Sequence, residues 1–229
     1  DTDTDTDTDT DTDTDVDPDG DIDADGDGFT LDEETAAGTN PDNAYSHPYT
    51  GGYSVGWCDT LPVPTGPTGS YSAFGSAWTA YTAGDVVENF TMTDQHGEDV
   101  DLYSFCDKSV LLATVAGWSG PDVVLASTLQ SYQDAHRDEG LQIIVVLFEA
   151  GWGGADPDVS DLSDFAAASG LEDIPVISGG EVLDMGAFTL LFGHDLATPS
   201  LSFLAPDMTA LSVDETETMS VSDLIDTHL

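Results

Sequence analysis

The stretch Val110-Leu111-Leu112-Ala113-Thr114-Val115-Ala116-Gly117-Trp118-Ser119-Gly120-Pro121-Asp122 decides how the rest of the chain reads. Its first seven residues are apolar apart from Thr114, as in a strand buried on both faces. A helical stretch begins after Pro121, with Val123, Leu125, Leu129 and Tyr132 among its apolar positions. Gly140 stops that helix. Leu141-Gln142-Ile143-Ile144-Val145-Val146-Leu147 then reads as a second buried strand. Strand, helix and strand in this order imply parallel pairing in an α/β sheet.

Working outward, Asn89 to Leu102 reads as two strands joined by a turn at His96-Gly97. On the other side, Asp158 to Ser169 reads as a helix with Leu162, Phe165 and Ala166 on its apolar face. Ile174-Pro175-Val176-Ile177 is a short strand, Ala197 to Leu204 a proline-led strand, and Ser220 to Leu229 a closing helix.

Residues 84–229 resemble the redoxin branch of the thioredoxin-like superfamily, which includes peroxiredoxins and thiol-disulfide oxidoreductases. The residues that carry the resemblance are Phe90-Thr91-Met92-Thr93-Asp94, the strand from Lys108 to Leu112, and Trp118-Ser119-Gly120-Pro121-Asp122 where the family has Trp-Cys-Gly-Pro-Cys. The resemblance implies an α/β, thioredoxin-like fold with a central mixed sheet flanked by helices. It also implies a cis peptide bond at Pro199, facing the Ser119 loop. The departure is chemical. Ser119 and Asp122 stand at both cysteine positions, and the thiolate is the nucleophile of dithiol exchange. Trp118, Ser119, Asp122 and Pro199 therefore mark a degenerate site with no catalytic role assigned. Ser119 and Asp122 suit the start of a helix as cap and dipole partner. His194 lies five residues before Pro199 and reads as a surface histidine. His47, His96, His136 and His228 have no ligand spacing and are expected to be exposed.

The two cysteines, Cys58 and Cys106, form no CxxC pair and have no metal-ligand spacing. In an oxidising compartment they pair into one disulfide, tying a connector (residues 49–83) to the main domain; the other reading is two unrelated thiols. The connector is rich in Gly, Ser, Thr, Tyr and Pro and reads as loop. Trp57, Phe74 and Trp78 suggest that it packs along the domain.

The N-terminus is aspartate at every odd position from Asp1 to Asp27. Residues 1–14 are Asp-Thr repeats, in which like charges repel along an extended spacer. From Asp15 the alternation becomes DxDxDG. Short carboxylates spaced by two can surround a hard cation that takes oxygen ligands, and glycine at the sixth place permits the turn. Asp15, Asp17 and Asp19 supply the first such unit, Asp21, Asp23 and Asp25 the second, and a third, overlapping unit opens the best loop. That loop begins at Asp23, with Asp25 third, Asp27 fifth, Gly28 sixth, the Phe29 carbonyl seventh and Glu34 twelfth. Thr30 stands at the eighth place, where an aliphatic residue is usual, and there is no paired second loop. The Asp23–Glu34 loop follows the EF-hand arithmetic, and Asp21 to Pro48, within a module of residues 15–48, resembles a bacterial thrombospondin type 3-like calcium repeat, which implies Ca²⁺ as the bound ion. A short helix is expected after Leu31, ending at Gly38.

The chain has 229 residues and 46 acidic side chains against Lys108 and Arg137, a net charge of −44. That excludes nucleic acid and anionic membrane surfaces as partners, since both need a basic patch; it favours cations. No apolar run is long enough for a transmembrane helix. Together these readings predict a secreted or surface-tethered, extracytoplasmic calcium-binding protein. Its thioredoxin-like domain would be non-catalytic, with a structural or binding role toward a protein or cell-surface partner and a lipid or stalk tether at the N-terminus. The alternative is an extracytoplasmic redoxin-class oxidoreductase working through Cys58, Cys106 or partner thiols.

Overall fold

The computed structural model describes residues 22–66, 81–152, 156–179, 198–213 and 220–229. The Asp-Thr tract, Asp15, Asp17, Asp19, Asp21, Phe74, Trp78 and His194 lie outside these residues. In chain order the elements begin with helix α1 (Leu31–Ala37), strands β1 (Thr91–Thr93) and β2 (Asp99–Asp101), and a 3₁₀ turn (Leu102–Phe105). Strand β3 (Ser109–Ala116), helix α2 (Gly120–His136), strand β4 (Leu141–Glu149), helix α3 (Val159–Ser169) and strand β5 (Val176–Ser178) follow. Strands β6 (Ser200–Leu204) and β7 (Ala210–Ser212) and helix α4 (Val221–His228) complete the order.

Strands β5, β4, β3, β6 and β7 form one sheet in that spatial order. β3 pairs in parallel with β4, and β4 with β5; β6 runs antiparallel to β3 and β7 antiparallel to β6. Every residue of β3 is buried, as its apolar run requires. Alternate residues face opposite layers. Leu111, Ala113 and Val115 join Leu129 of α2, Leu162 of α3 and Leu224 of α4. Val110 and Leu112 join a second core with Phe90, Leu102, Phe105 and three connector tyrosines, Tyr49, Tyr53 and Tyr81. The described part of the connector thus covers the sheet through these tyrosines, whereas Trp57, on which the expectation of packing rested in part, is exposed.

Helix starts follow local hydrogen-bonding chemistry. Thr30 with Glu33, Asp158 with Asp161 and Ser220 with Asp223 each form a reciprocal capping box. Gly38, Gly140 and Gly170 end helical segments with positive φ angles of 81°, 93° and 69°. The strand expected at Ile174 begins at Val176 instead. Pro175 has no N–H to give a ladder; its carbonyl accepts from Val145 N at 2.9 Å. Among the described residues two non-glycine residues, Asp107 and Met208, also have positive φ angles, of 66° and 64°.

Candidate functional site

Besides the two cysteines, two places in the fold carry the residues singled out by the sequence. One lies beyond the C-terminal end of β3. There the chain leaves Ala116, passes Gly117 and Trp118, and enters α2 at Ser119. A Cβ at Gly117 would come within 2.7 Å of the Ala150 carbonyl oxygen, so glycine is required where these two strand ends meet. The Thr198-Pro199 bond is cis, as the resemblance implied. Ser200 pairs with Thr114, which places Pro199 at this same end of the sheet.

Ser119 was expected to cap α2. It occupies the N-cap position, but its side chain makes no capping bond. Instead its hydroxyl donates to Asp122 Oδ1 at 2.5 Å, while Asp122 Oδ2 accepts from Ala116 N at 2.8 Å. Asp122 is fully buried. Its carboxylate is held by two donors and sits in the first turn of a helix, where the dipole favours negative charge. The hydroxyl proton is committed to the carboxylate, and Ser119 has no histidine partner among the described residues. This arrangement holds the β3–α2 junction; it presents no sulfur.

Trp118 is 43% exposed, and its indole N–H donates to Glu149 Oε2 at 2.7 Å. Trp152, 79% exposed, meets Trp118 edge to face, with centroids 4.4 Å apart and planes at 74°. Glu149 and Trp152 escaped the sequence reading. The pairing of β3 with β4 slips between Val115 and Ala116, so that Ala116 faces Glu149. Nothing in the strand pattern announces that slip.

The cysteines lie at the other end of β3. Cys58 and Cys106 form a disulfide, with Cα atoms 5.0 Å apart. Cys106 is fully buried and Cys58 half-buried. Cys58 lines a cleft of about 490 Å³ together with Trp57, Asp59, Thr60, Asp107, Pro206 and Asp207. Strand β3, eight residues long, separates this cleft from Ser119 by about 25 Å at ~3.3 Å per residue.

The second place is the N-terminal acidic turn. Asp23 accepts from Gly26 N at 2.7 Å and Gly28 N at 3.0 Å, and Asp27 accepts from Phe29 N at 2.9 Å. Gly26 and Gly28 adopt φ angles of 85° and 100°. These bonds curl the turn so that one carboxylate oxygen from each of Asp23, Asp25 and Asp27 lies within 4.8 Å of the others. Glu34, on α1, is fully buried. Asp25 Oδ2, Asp27 Oδ2 and Glu34 Oε2 are buried without a hydrogen-bond partner. Burial first, then the charges of Asp27 and Asp25, push the Glu34 carboxyl up to about 7. A set of hard, anionic, unsatisfied oxygens fits a hard divalent cation.

The turn is joined to the sheet by aromatic contacts. Phe29 stacks on His47 at 5.3 Å, His47 meets Tyr49 at 4.4 Å, and Tyr49 meets Tyr53 at 5.5 Å. Tyr53 donates to the buried Asp94 at 2.5 Å. Among the four described histidines the expectation of exposure holds for His96 alone, while His47, His136 and His228 are half-buried. His47 is drawn in by Phe29 and Tyr49, and His228 by Phe203 at 5.4 Å.

Solved structures share this architecture. The thioredoxin domain of a thiol-disulfide oxidoreductase from Bacteroides vulgatus superposes with a TM-score of 0.50 and 18% identity, covering 65% of this chain and 96% of that one. A thiol:disulfide interchange protein DsbE from Chlorobium tepidum gives a TM-score of 0.50 at 18% identity, covering 63% of this chain and 93% of its own. The fold is thioredoxin-like. A thiol:disulfide interchange protein from Bacteroides sp. likewise gives 0.50 at 18% identity, covering 65% of this chain and 88% of that one. No protein-family model and no curated protein matches the chain. The thioredoxin-like domain therefore stands on its architecture, with the Trp118–Asp122 segment where the sequence placed it. No helix among the described residues is long and apolar enough to cross a membrane.

Proposed function

We propose that this chain is an extracytoplasmic calcium-binding protein whose thioredoxin-like domain acts as a structural or binding module without dithiol chemistry. The observation that carries the reading is the acidic turn, where Asp23, Asp25 and Asp27 bring carboxylate oxygens within 4.8 Å of one another and Asp25, Asp27 and Glu34 each bury an oxygen without a partner. Asp23, Asp25, Asp27 and Glu34 would hold the ion, with the Phe29 carbonyl at the seventh loop place. The bound ion would supply the positive charge that four neighbouring carboxylates otherwise lack. Asp15, Asp17, Asp19 and Asp21 offer further oxygens upstream. The non-dithiol half of the reading is supported by the closed Ser119–Asp122 pair, which stands where the two family cysteines would be; the Cys58–Cys106 disulfide speaks for the second reading below. Calorimetry of the intact chain with Ca²⁺ tests the first half, and a chain that takes up no calcium refutes it.

A second reading is favoured by one observation: a half-buried Cys58 in a cleft, on a fold shared with thiol-disulfide oxidoreductases. In this reading a partner thiolate attacks Cys58 Sγ and releases the Cys106 thiolate. A second partner thiol then resolves the mixed disulfide, so that the partner dithiol is oxidised and Cys58–Cys106 reduced. Insulin-reduction and peroxide-consumption assays separate the readings when run beside a Ser119→Cys/Asp122→Cys variant. Turnover by the unmodified chain that vanishes on alkylating the reduced Cys58 and Cys106 assigns the function to this second reading. Turnover only in the double variant supports the first.

A further inference from the structure

The geometry points to the Trp118–Trp152–Glu149 corner as a binding site for a lysine or arginine side chain on a basic partner polypeptide. Two exposed indoles meet edge to face, with planes at 74° and centroids 4.4 Å apart. The Glu149 carboxylate fixes one of them through Trp118 Nε1 at 2.7 Å and adds a full negative charge beside the rings. Cations are drawn to the faces of indoles, and more so next to an anion. Exposing two tryptophans to water is unfavourable unless something covers them. The surroundings also fix their position. Gly117 lets the β3 end approach Ala150 closely, and the register slip brings Glu149 opposite Ala116.

The charge distribution selects the occupant. The chain has 46 acidic residues and two strong bases. Neither base serves this corner. Lys108 precedes the N-terminal end of β3, and Arg137 follows the C-terminal end of α2, where it pairs with Asp173. Both therefore lie at the opposite end of the domain, about 25 Å along a 17-residue helix or an eight-residue strand. The corner is open: Trp152 is 79% exposed. A small free cation would be covered on few sides there. A polypeptide can seat one basic side chain in the corner and lay its other charges along an acidic surface.

The inference rests on the binding reading of the Ser119 end of the domain. Dithiol turnover by the unmodified chain through Cys58 and Cys106 would sink that reading, whereas failure of the titration below sinks this inference alone. The test is calorimetric titration of the full chain with penta-lysine, in calcium-containing buffer at physiological salt, with penta-glutamate as control. Penta-lysine is expected to bind and penta-glutamate not. Trp152→Ala leaves the net charge unchanged and should weaken binding about tenfold, with Trp152→Phe retaining most of the affinity. Glu149→Gln should weaken binding by a similar factor. Asp138→Asn removes the same single charge at the far end of α2 and should change affinity less than about twofold. No binding by the unmodified chain overturns the inference. So does a Trp152→Ala chain that binds as well as the unmodified one, or an Asp138→Asn loss equal to that of Glu149→Gln; either result means diffuse charge attraction.

Discussion

Glu34 in the acidic turn and Asp122 at the head of α2 are both shut off from solvent, yet their surroundings treat the buried charge in opposite ways. Asp122 meets two donors, one to each oxygen, and a helix N-terminus. Asp94 is treated likewise, with Tyr53, His96 N and Glu98 N around it. Glu34 has a single distant donor, Thr39 Oγ1 at 3.4 Å to Oε1, and an unpartnered Oε2, and the charges of Asp27 and Asp25 act on its carboxyl. A buried carboxylate with all its bonds made is a piece of architecture. A buried carboxylate left unmade among others of the same sign is relieved by a cation or by taking up a proton, because desolvation and like-charge repulsion both act against its charge. The contrast separates the two ends of the molecule. The place that looks like an active site is internally closed, and the place that looks like a solvated acidic run is internally incomplete.

The largest expected effect comes from completing the incomplete end. With Ca²⁺ at a thousandfold excess over its dissociation constant, urea unfolding should show a gain of about 4 kcal/mol over chelator-treated protein. Equal unfolding midpoints in the two buffers would erase the contrast. Next is Asp122→Ala, which removes the acceptor of Ala116 N inside the sheet end. It should destabilise by about 3 kcal/mol, equally with and without calcium. A calcium-dependent loss would mean that the closed end and the incomplete end are energetically coupled, and the contrast between them would fail. Glu34→Gln keeps the shape and deletes one charge of the cluster. It should cut the calcium-dependent gain by more than half and change calcium-free stability by about 1 kcal/mol or less. Matched calcium titrations and chelated urea curves read both numbers.

The sequence made the frame of this molecule legible and left its exceptions hidden. Strands β3 and β4 were readable because a run such as Ile143-Ile144-Val145-Val146 has no polar side to offer water. The helix ends at Gly38 and Gly140, and the cis Pro199, followed from turn chemistry or from the resemblance. The acidic turn was readable as ligand spacing, although spacing says nothing about which oxygens end up buried. Asp122 was legible only as a helix-terminal charge, since its burial depends on Ala116 N arriving from the strand before it. Tyr49 and Tyr53 sit in Gly/Ser-rich loop sequence, and their depth is set by distant hydroxyl partners, Ser104 at 2.8 Å and Asp94 at 2.5 Å. Trp152 and Glu149 depend on a register slip, which has no signature in a single strand's pattern.

The smallest effect tests whether Ser119 belongs to the closed end as architecture or as latent chemistry. Its hydroxyl is the second donor to Asp122, at 2.5 Å, the short separation expected of a charge-assisted bond to a carboxylate. Ser119→Ala removes that donor while keeping Ala116 N on the other oxygen. Ser119 is half-buried, so water can reach the vacated side and replace part of the bond. The loss should therefore be about 1 kcal/mol, well below that of Asp122→Ala, and independent of calcium. It should also leave penta-lysine binding at the Trp118–Trp152 corner within about twofold, since the indole geometry is set by Glu149 and not by the hydroxyl. Urea midpoints and the same calorimetric titration measure both quantities on one protein. A stability loss matching that of Asp122→Ala would show that the hydroxyl, and not the backbone donor, holds the carboxylate in place. The closed end would then depend on the residue that stands where the family's first cysteine would be.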